Sequence, residues 1–331
     1  MAVIKVGING FGRIGRRVFR LLLQHPDIEV VAINDIADTK TLSHLLKYDS
    51  IHGVLQKKVA YTTDSIKVDQ RTYPFYSQTS ISKIPWQGVD IVIEATGKFK
   101  TKSAVQTHIS SGAKKVILCV PPTDDQIKMI VAGVNDSMLT PEDRIISNAS
   151  CTTNNAAPML KLIHDAFEIQ QAYITTVHSY TTDQSLHDQP HKDLRRARAA
   201  GQSIVPTTTG AAKALTKLFP DLNTVIGGCG IRVPVANGSL CDITLNVKRE
   251  TSIQAVNSLF ENAANGSLKG ILQYTKDPIV SVDIVGNPHS CVLDSEMTSV
   301  IGKMIKIIGW YDNETGYSSR IIDLVYKISR K

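Results

Sequence analysis

No apolar run in these 331 residues approaches the roughly 20 that a membrane-crossing helix needs. The opening run Met1-Ala2-Val3-Ile4-Lys5-Val6 reads directly as a strand, without the charged segment, apolar stretch and cleavage site of an export signal. Cysteine is sparse. Cys119, Cys151, Cys229, Cys241 and Cys291 form no close pair and no metal-ligand spacing, which argues against a disulfide framework or zinc site and for a reducing, cytoplasmic compartment. Internal repeats, low-complexity tracts and linkers are missing as well. The net charge of +7 is spread thinly, and its densest cluster, His191 to Arg198, is short and has no interleaved aromatics. Nucleic acid is therefore not the expected primary ligand; a phosphorylated metabolite calls for the same local Arg and Lys.

What is present is a chain of two-domain length with 42% hydrophobic and 20% charged residues. In the first half, strand-like runs (Ile4 to Asn9, Ile28 to Asn34, Val89 to Ala95, Lys115 to Cys119, Arg144 to Ser147) alternate with helical ones (Arg13 to Leu23, Thr39 to Lys47, Lys102 to Ser111). That alternation predicts an α/β unit with a parallel, doubly wound sheet of Rossmann type. After a helix ending at Phe167, strands dominate: Tyr173 to Ser179, Gly230 to Val235, Ser239 to Lys248, Ile279 to Ile284, Ser290 to Asp294 and Met304 to Trp310. Helices are expected over Gly210 to Leu218 and Ile253 to Ala264, which makes an α+β unit with a largely antiparallel sheet. The expected domains are 1–150, completed by a C-terminal helix over 315–331, and 151–314. Tyr180 to Pro206 shows no periodicity, and loops of that length tend to be functional.

Gly10-Phe11-Gly12-Arg13-Ile14-Gly15 follows the first strand and opens the first helix. In that context Gly10 permits a tight turn, Gly12 lets the backbone approach a pyrophosphate, and Gly15 allows close helix–strand packing. The phosphates then meet a helix N-terminus. Asp35 ends the second strand twenty residues beyond Gly15, the spacing of a carboxylate that binds the adenosine ribose. A carboxylate there repels the extra phosphate of NADP, so NAD is the expected cofactor.

In Ser147-Asn148-Ala149-Ser150-Cys151-Thr152-Thr153-Asn154, a thiol sits among small polar residues just ahead of a helical run, Ala156 to Phe167. A helix N-terminus favours thiolate over thiol, against an ordinary pKa of about 8.5. Cys151 is thus the candidate nucleophile. His178, closing the strand Ile174 to Val177, is the candidate base. His25, His44, His52 and His108 lie in helix- or loop-like contexts and take structural readings.

These segments, with INGFGRIGR, His178 to Gln184, Asp193 to Ala200, Pro206 to Lys213 and Trp310 to Glu314, resemble phosphorylating glyceraldehyde-3-phosphate dehydrogenase over essentially the whole chain. The resemblance implies oxidation of glyceraldehyde 3-phosphate to 1,3-bisphosphoglycerate, through a thiohemiacetal and a thioester on Cys151 with His178 as base, in glycolysis or gluconeogenesis. It implies dinucleotide contacts from Arg13 and Ile14, a nicotinamide contact from Asn313, and a homotetramer. It implies two anion sites, for substrate phosphate and inorganic phosphate, at Ser150, Thr152, Thr181, Asp183, Arg196, Thr209, Gly210 and Arg232, with Arg196 and Arg232 foremost. Cys119 stands where a Ser or Thr of the family contacts the cofactor, and Thr79 where an adenine-side Arg is frequent. Erythrose-4-phosphate dehydrogenase shares SNASCTTN and the glycine turn, and its members generally lack the Thr-rich strings at 181–182 and 207–209. A nucleic-acid- or surface-binding protein on the same scaffold is the alternative of a different class.

Overall fold

The computed structural model describes residues 3–330. Met1 and Ala2 of the opening run, and Lys331 at the end of the expected last helix, lie outside the described residues. The chain divides into two compact units: one comprises the described residues up to Ile130, Asp136–Ala149 and those from Ser318 on; the other comprises Val131–Asn135 and Ser150–Tyr317.

The first unit runs β1 (Ile4–Asn9), α1 (Arg13–Leu22), β2 (Ile28–Asn34), α2 (Thr39–Lys47), a small hairpin of β3 (Tyr48–Asp49) and β4 (Gly53–Val54), then β5 (Val59–Tyr61), β6 (Ser65–Val68), β7 (Arg71–Tyr76), β8 (Ile91–Glu94), α3 (Lys102–Ser110), β9 (Lys115–Leu118), β10 (Lys128–Met129) and β11 (Ile145–Ser147). Its sheet has the order β10-β11-β9-β8-β1-β2-β7-β6-β5. The pairings from β10 to β7 are parallel, and only the β7-β6-β5 edge is antiparallel. Val6, Ile8, Ile33, Val92, Ile93 and Ile117 are fully buried, as strands covered on both faces require. The register sets Asn9 beside both Asn34 and Glu94, so three polar side chains meet at the carboxyl ends of β2, β1 and β8. The strand order reverses at β1, and open α/β sheets bind ligands at that point. The β5 to β7 meander escapes the sequence reading because its strands are short and largely exposed on one face.

The second unit contains α4 (Cys151–Phe167), β12 (Ile169–Ser179), β13 (Val205–Thr207), α5 (Ala211–Leu218), β14 (Ile226–Val233), β15 (Ser239–Val247), α6 (Ile253–Asn265), β16 (Leu272–Thr275), β17 (Cys291–Ile301), β18 (Met304–Tyr311) and the start of α7 (Thr315–Ser329). Its sheet, β13-β14-β12-β15-β18-β17-β16, is antiparallel except at β12–β14 and β16–β17. One expected strand is corrected. Within Ile279 to Ile284 the chain forms a 3-10 turn, Ser281–Ile284, because the Asp283 carboxylate accepts the Val280 amide at 2.8 Å and closes the turn locally. Val280 and Val282, whose apolar side chains suggested a strand, face solvent.

Candidate active site

Cys151 is the first residue of α4, five positions earlier than the helical pattern suggested. Ser150 caps the helix: its hydroxyl oxygen accepts the Thr153 amide at 3.1 Å and also bonds the Thr153 hydroxyl at 2.7 Å. From there the Cys151 Sγ lies 3.4 Å from His178 Nε2, near the end of β12. Parallel pairing puts Arg232 of β14 directly beside His178. His178 Nδ1 sits 2.7 Å from the Ser179 carbonyl oxygen, which also accepts from Arg232 Nη1 at 3.0 Å, and the guanidinium touches Nδ1. At Nδ1 the carbonyl only accepts and the guanidinium only donates, so these contacts alone do not select the tautomer; with the proton on Nδ1, toward the carbonyl, Nε2 turns its lone pair to the sulfur.

The electrostatics correct one expectation. Burial pushes the Cys151 thiol up, and Arg232 and the hydrogen bonds of the helix start only partly oppose it. Burial, reinforced by Arg232, lowers the His178 imidazole to about 3. The helix N-terminus is where the sequence placed it, but desolvation of the half-buried thiol and the buried imidazole opposes it and favours the neutral form of each. A thiol so placed can lose its proton to Nε2, and Arg232 lies alongside where it would favour the anion.

Arg196 comes from the aperiodic segment between β12 and β13. Its Nε donates to Thr207 Oγ1 at 2.9 Å and its Nη2 to the Thr208 carbonyl at 3.3 Å, while Nη1 is ion-paired to Asp183. Asp183 thereby enters as the partner of Arg196; its carboxylate only accepts, as phosphate oxygens do. Thr209 Oγ1 accepts the Ala211 amide at 3.2 Å, and Gly210 is the N-cap of α5, without a side-chain cap. The Thr181 amide donates to Gln184 Oε1 at 3.3 Å. Thr152 Oγ1 bonds the Tyr311 hydroxyl at 2.9 Å, and the same hydroxyl bonds Thr176 Oγ1 at 3.0 Å. Tyr311, fully buried with its ring 6.0 Å from that of His178, straps the first turn of α4 to β12. Sequence reasoning passed it over, because that contact spans 159 residues and leaves no local signal. Asn313 Oδ1 accepts from the hydroxyls of Ser179 at 2.9 Å and Ser239 at 3.0 Å, which fixes how its amide is turned.

In the first unit a pocket of about 260 Å³ opens at the carboxyl ends of the parallel strands, walled by Gly10, Gly12, Asp35, Thr79 and Thr96 among others. Each motif glycine has a separate reason to lack a side chain. Gly10 has φ +93°, and a Cβ on it would meet Thr96 N at 2.7 Å; one on Gly15 would lie 2.0 Å from the Gly10 carbonyl oxygen. Beside Gly12 nothing lies within 4 Å, which leaves room for a ligand's approach. No side chain caps α1, whose first turn holds Arg13 and Ile14; the Arg13 guanidinium pairs with Asp49 at 3.0 Å. Asp35 accepts the Phe11 amide at 2.6 Å and the Ala37 amide at 3.0 Å, one on each oxygen, and lines the pocket. These residues fit a dinucleotide. Cys119 lies just past β9, its amide donating to the Glu94 carbonyl and its thiol pushed well up by burial. Arg16 also went unread: its Nη1 holds the Phe11 carbonyl at 2.7 Å, bracing the glycine loop.

A Rossmann-type unit with this glycine loop, joined to an α+β unit bearing a paired cysteine and histidine, defines a dinucleotide-dependent dehydrogenase that works through a covalent thiol adduct. Residues 4–102 match the family model for the NAD binding domain of glyceraldehyde 3-phosphate dehydrogenase, and residues 150–313 match that for its C-terminal domain. The chain is 53% identical over 326 residues to glyceraldehyde-3-phosphate dehydrogenase 2 of Streptomyces avermitilis, covering 97% of each. It is 48% identical over 332 residues to the glyceraldehyde-3-phosphate dehydrogenase of Geobacillus stearothermophilus, covering 99% of each. To that of Thermotoga maritima it is 50% identical over 324 residues, covering 96% of this chain and 97% of the other. The chain belongs to the glyceraldehyde-3-phosphate dehydrogenase family, and NAD is its cofactor.

Proposed function

We propose that this protein oxidises glyceraldehyde 3-phosphate to 1,3-bisphosphoglycerate, consuming inorganic phosphate and reducing NAD. The observation that carries this reading is the 3.4 Å approach of Cys151 Sγ to His178 Nε2, with Arg232 in register beside the imidazole. Nε2 takes the thiol proton as sulfur bonds the aldehyde carbon. The resulting oxyanion is stabilised by the Cys151 amide at the head of α4 and by protonated His178, and is protonated to the thiohemiacetal. His178 next accepts the hydroxyl proton as the carbon loses hydride, leaving a thioester on Cys151. NAD, when bound, supplies the hydride acceptor. Inorganic phosphate then attacks the thioester carbonyl, the carbon–sulfur bond breaks, and the acyl phosphate leaves.

Arg196, Arg232, Thr181, Thr209, Gly210, Ser150 and Thr152 supply guanidinium forks, hydroxyls and helix-start amides suited to two phosphate groups. Phosphate on Arg196 would compete with the Asp183 carboxylate for the same donor. Asn313, its Oδ1 held by two serines, is suited to bind the nicotinamide carboxamide. The unpaired, well-spread cysteines support a cytoplasmic setting, and exposed Leu186, Leu194 and Ile204 support assembly into a homotetramer. Erythrose 4-phosphate is the competing substrate, and the relatives favour glyceraldehyde 3-phosphate over it.

The test is NADH formation from each sugar phosphate, with and without inorganic phosphate. Turnover is expected with glyceraldehyde 3-phosphate and dependent on phosphate, and Cys151→Ser should abolish it. Undiminished turnover in that variant would rule out the covalent route.

A further inference from the structure

The mechanism leaves the fully buried carboxylate of Glu94 unused. Glu94 ends β8 beneath the cofactor pocket, and its partners reach it from two directions. From one side, the Trp86 indole N–H donates to His108 Nδ1 at 2.9 Å, and His108 Nε2 lies 2.9 Å from Glu94 Oε2. An indole only donates, so His108 is neutral and carries its proton on Nε2, pointing at the carboxylate. From the other side, the Gln78 amide donates to Asn34 Oδ1 at 2.9 Å, Asn34 Nδ2 donates to Asn9 Oδ1 at 2.8 Å, and Asn9 Nδ2 donates to Glu94 Oε2 at 2.5 Å. Glu94 Oε1 receives the Thr96 amide at 2.9 Å and the Thr96 hydroxyl. Apart from the return bond from Asn34 Nδ2 to the Gln78 carbonyl at 3.1 Å, every donation in this network runs toward Glu94. Asn9, Asn34, Gln78 and Thr96, from four separate segments of chain, are all wall residues of the pocket.

We propose that Glu94 is a positioning residue for the cofactor: an acceptor-only carboxylate that fixes the mutual placement of the four segments on which NAD rests. The proposal rests on the NAD reading of the pocket and deepens it. A glutamine at position 94 keeps the shape but brings its own NH2 group. Turned toward Oε1 it faces the Thr96 hydroxyl, which can turn to accept, and the Thr96 N–H, which cannot. Turned toward Oε2 it faces Asn9 and His108, whose orientations are locked by Asn34 and Trp86. A donor meets a donor either way, and such a mismatch in a buried site loosens the walls.

The test compares wild type, Glu94→Gln, Thr96→Val and the double variant in binding NAD and ADP-ribose, alongside steady-state kinetics and thermal melting. Glu94→Gln should weaken both ligands by about tenfold or more, raise KM for NAD in step, and leave kcat at saturating NAD within about threefold. Thr96→Val should weaken them by about threefold or more at an unchanged melting temperature. The double variant should be no worse than Glu94→Gln by more than about twofold, because the two residues act through one contact. A folded Glu94→Gln protein with wild-type affinity overturns the proposal, as do effects that simply multiply. If Glu94→Gln does not fold, Thr96→Val decides alone, wild-type affinity again overturning it. Failure of the wild type to bind NAD sinks the cofactor reading itself, and this inference with it; wild-type binding matched by the variants sinks only the inference.

Discussion

Protonating His178 would set a second cation against the fixed charge of Arg232. Burial and that neighbour lower the imidazole from 6.5 to about 3 on folding. The unfolded chain therefore takes up a proton that the folded chain refuses, and stability falls as pH drops from 6.5 toward 3. Between pH 7 and pH 4 this single group should cost the folded state on the order of 3 kcal/mol. Urea unfolding of His178→Gln and wild type at the two pH values checks it: the variant should lose less stability than wild type by about that amount, and equal losses would mean the imidazole is not held neutral. The identities of nucleophile and base were legible because a helix start and a strand end are local patterns. Their resting protonation was not. It depends on Arg232, 54 residues from His178 in sequence and adjacent only through the β12–β14 pairing.

The turn between β1 and α1 separates packing from ligand approach within one motif. Gly15→Ala would drive a Cβ to 2.0 Å from the Gly10 carbonyl oxygen, so the helix must move. That variant is expected to lose stability, by about 1–3 kcal/mol, together with NAD affinity. Gly12→Ala meets nothing within 4 Å and needs no strained φ, so it should melt like wild type while binding NAD at least about tenfold more weakly. Thermal melting and cofactor titration of the two variants separate the roles, and equal damage to both properties in both variants would refute the division. Most elements could be read from alternation and helical spacing. The failures have separate causes: β5 to β7 alternate over too few positions to stand out, and the turn at Ser281–Ile284 is closed by the single Asp283 carboxylate.

At the scale of the molecule, the aperiodic segment between β12 and β13 presents Leu194 at 82%, Ile204 at 71% and Leu186 at 67% exposure. Three large apolar side chains held in solvent on one segment are expected to be covered in the proposed homotetramer. Leu194→Asp should shift the assembly toward smaller species, with light scattering during gel filtration as the measurement; an unchanged mass would place that residue outside the subunit contacts. The sequence by itself determined the class of chemistry: a thiol at a helix start, a glycine turn after a strand and a carboxylate at a fixed distance are local features, and local spacing is written in the chain. Tertiary structure alone decided how those groups are charged and held. Only folding half-buries Cys151, buries His178, brings Arg232 and Tyr311 to them, and gathers Asn9, Asn34 and Thr96 around Glu94. Desolvation and long-range hydrogen bonding are properties of packing, and no stretch of sequence contains them.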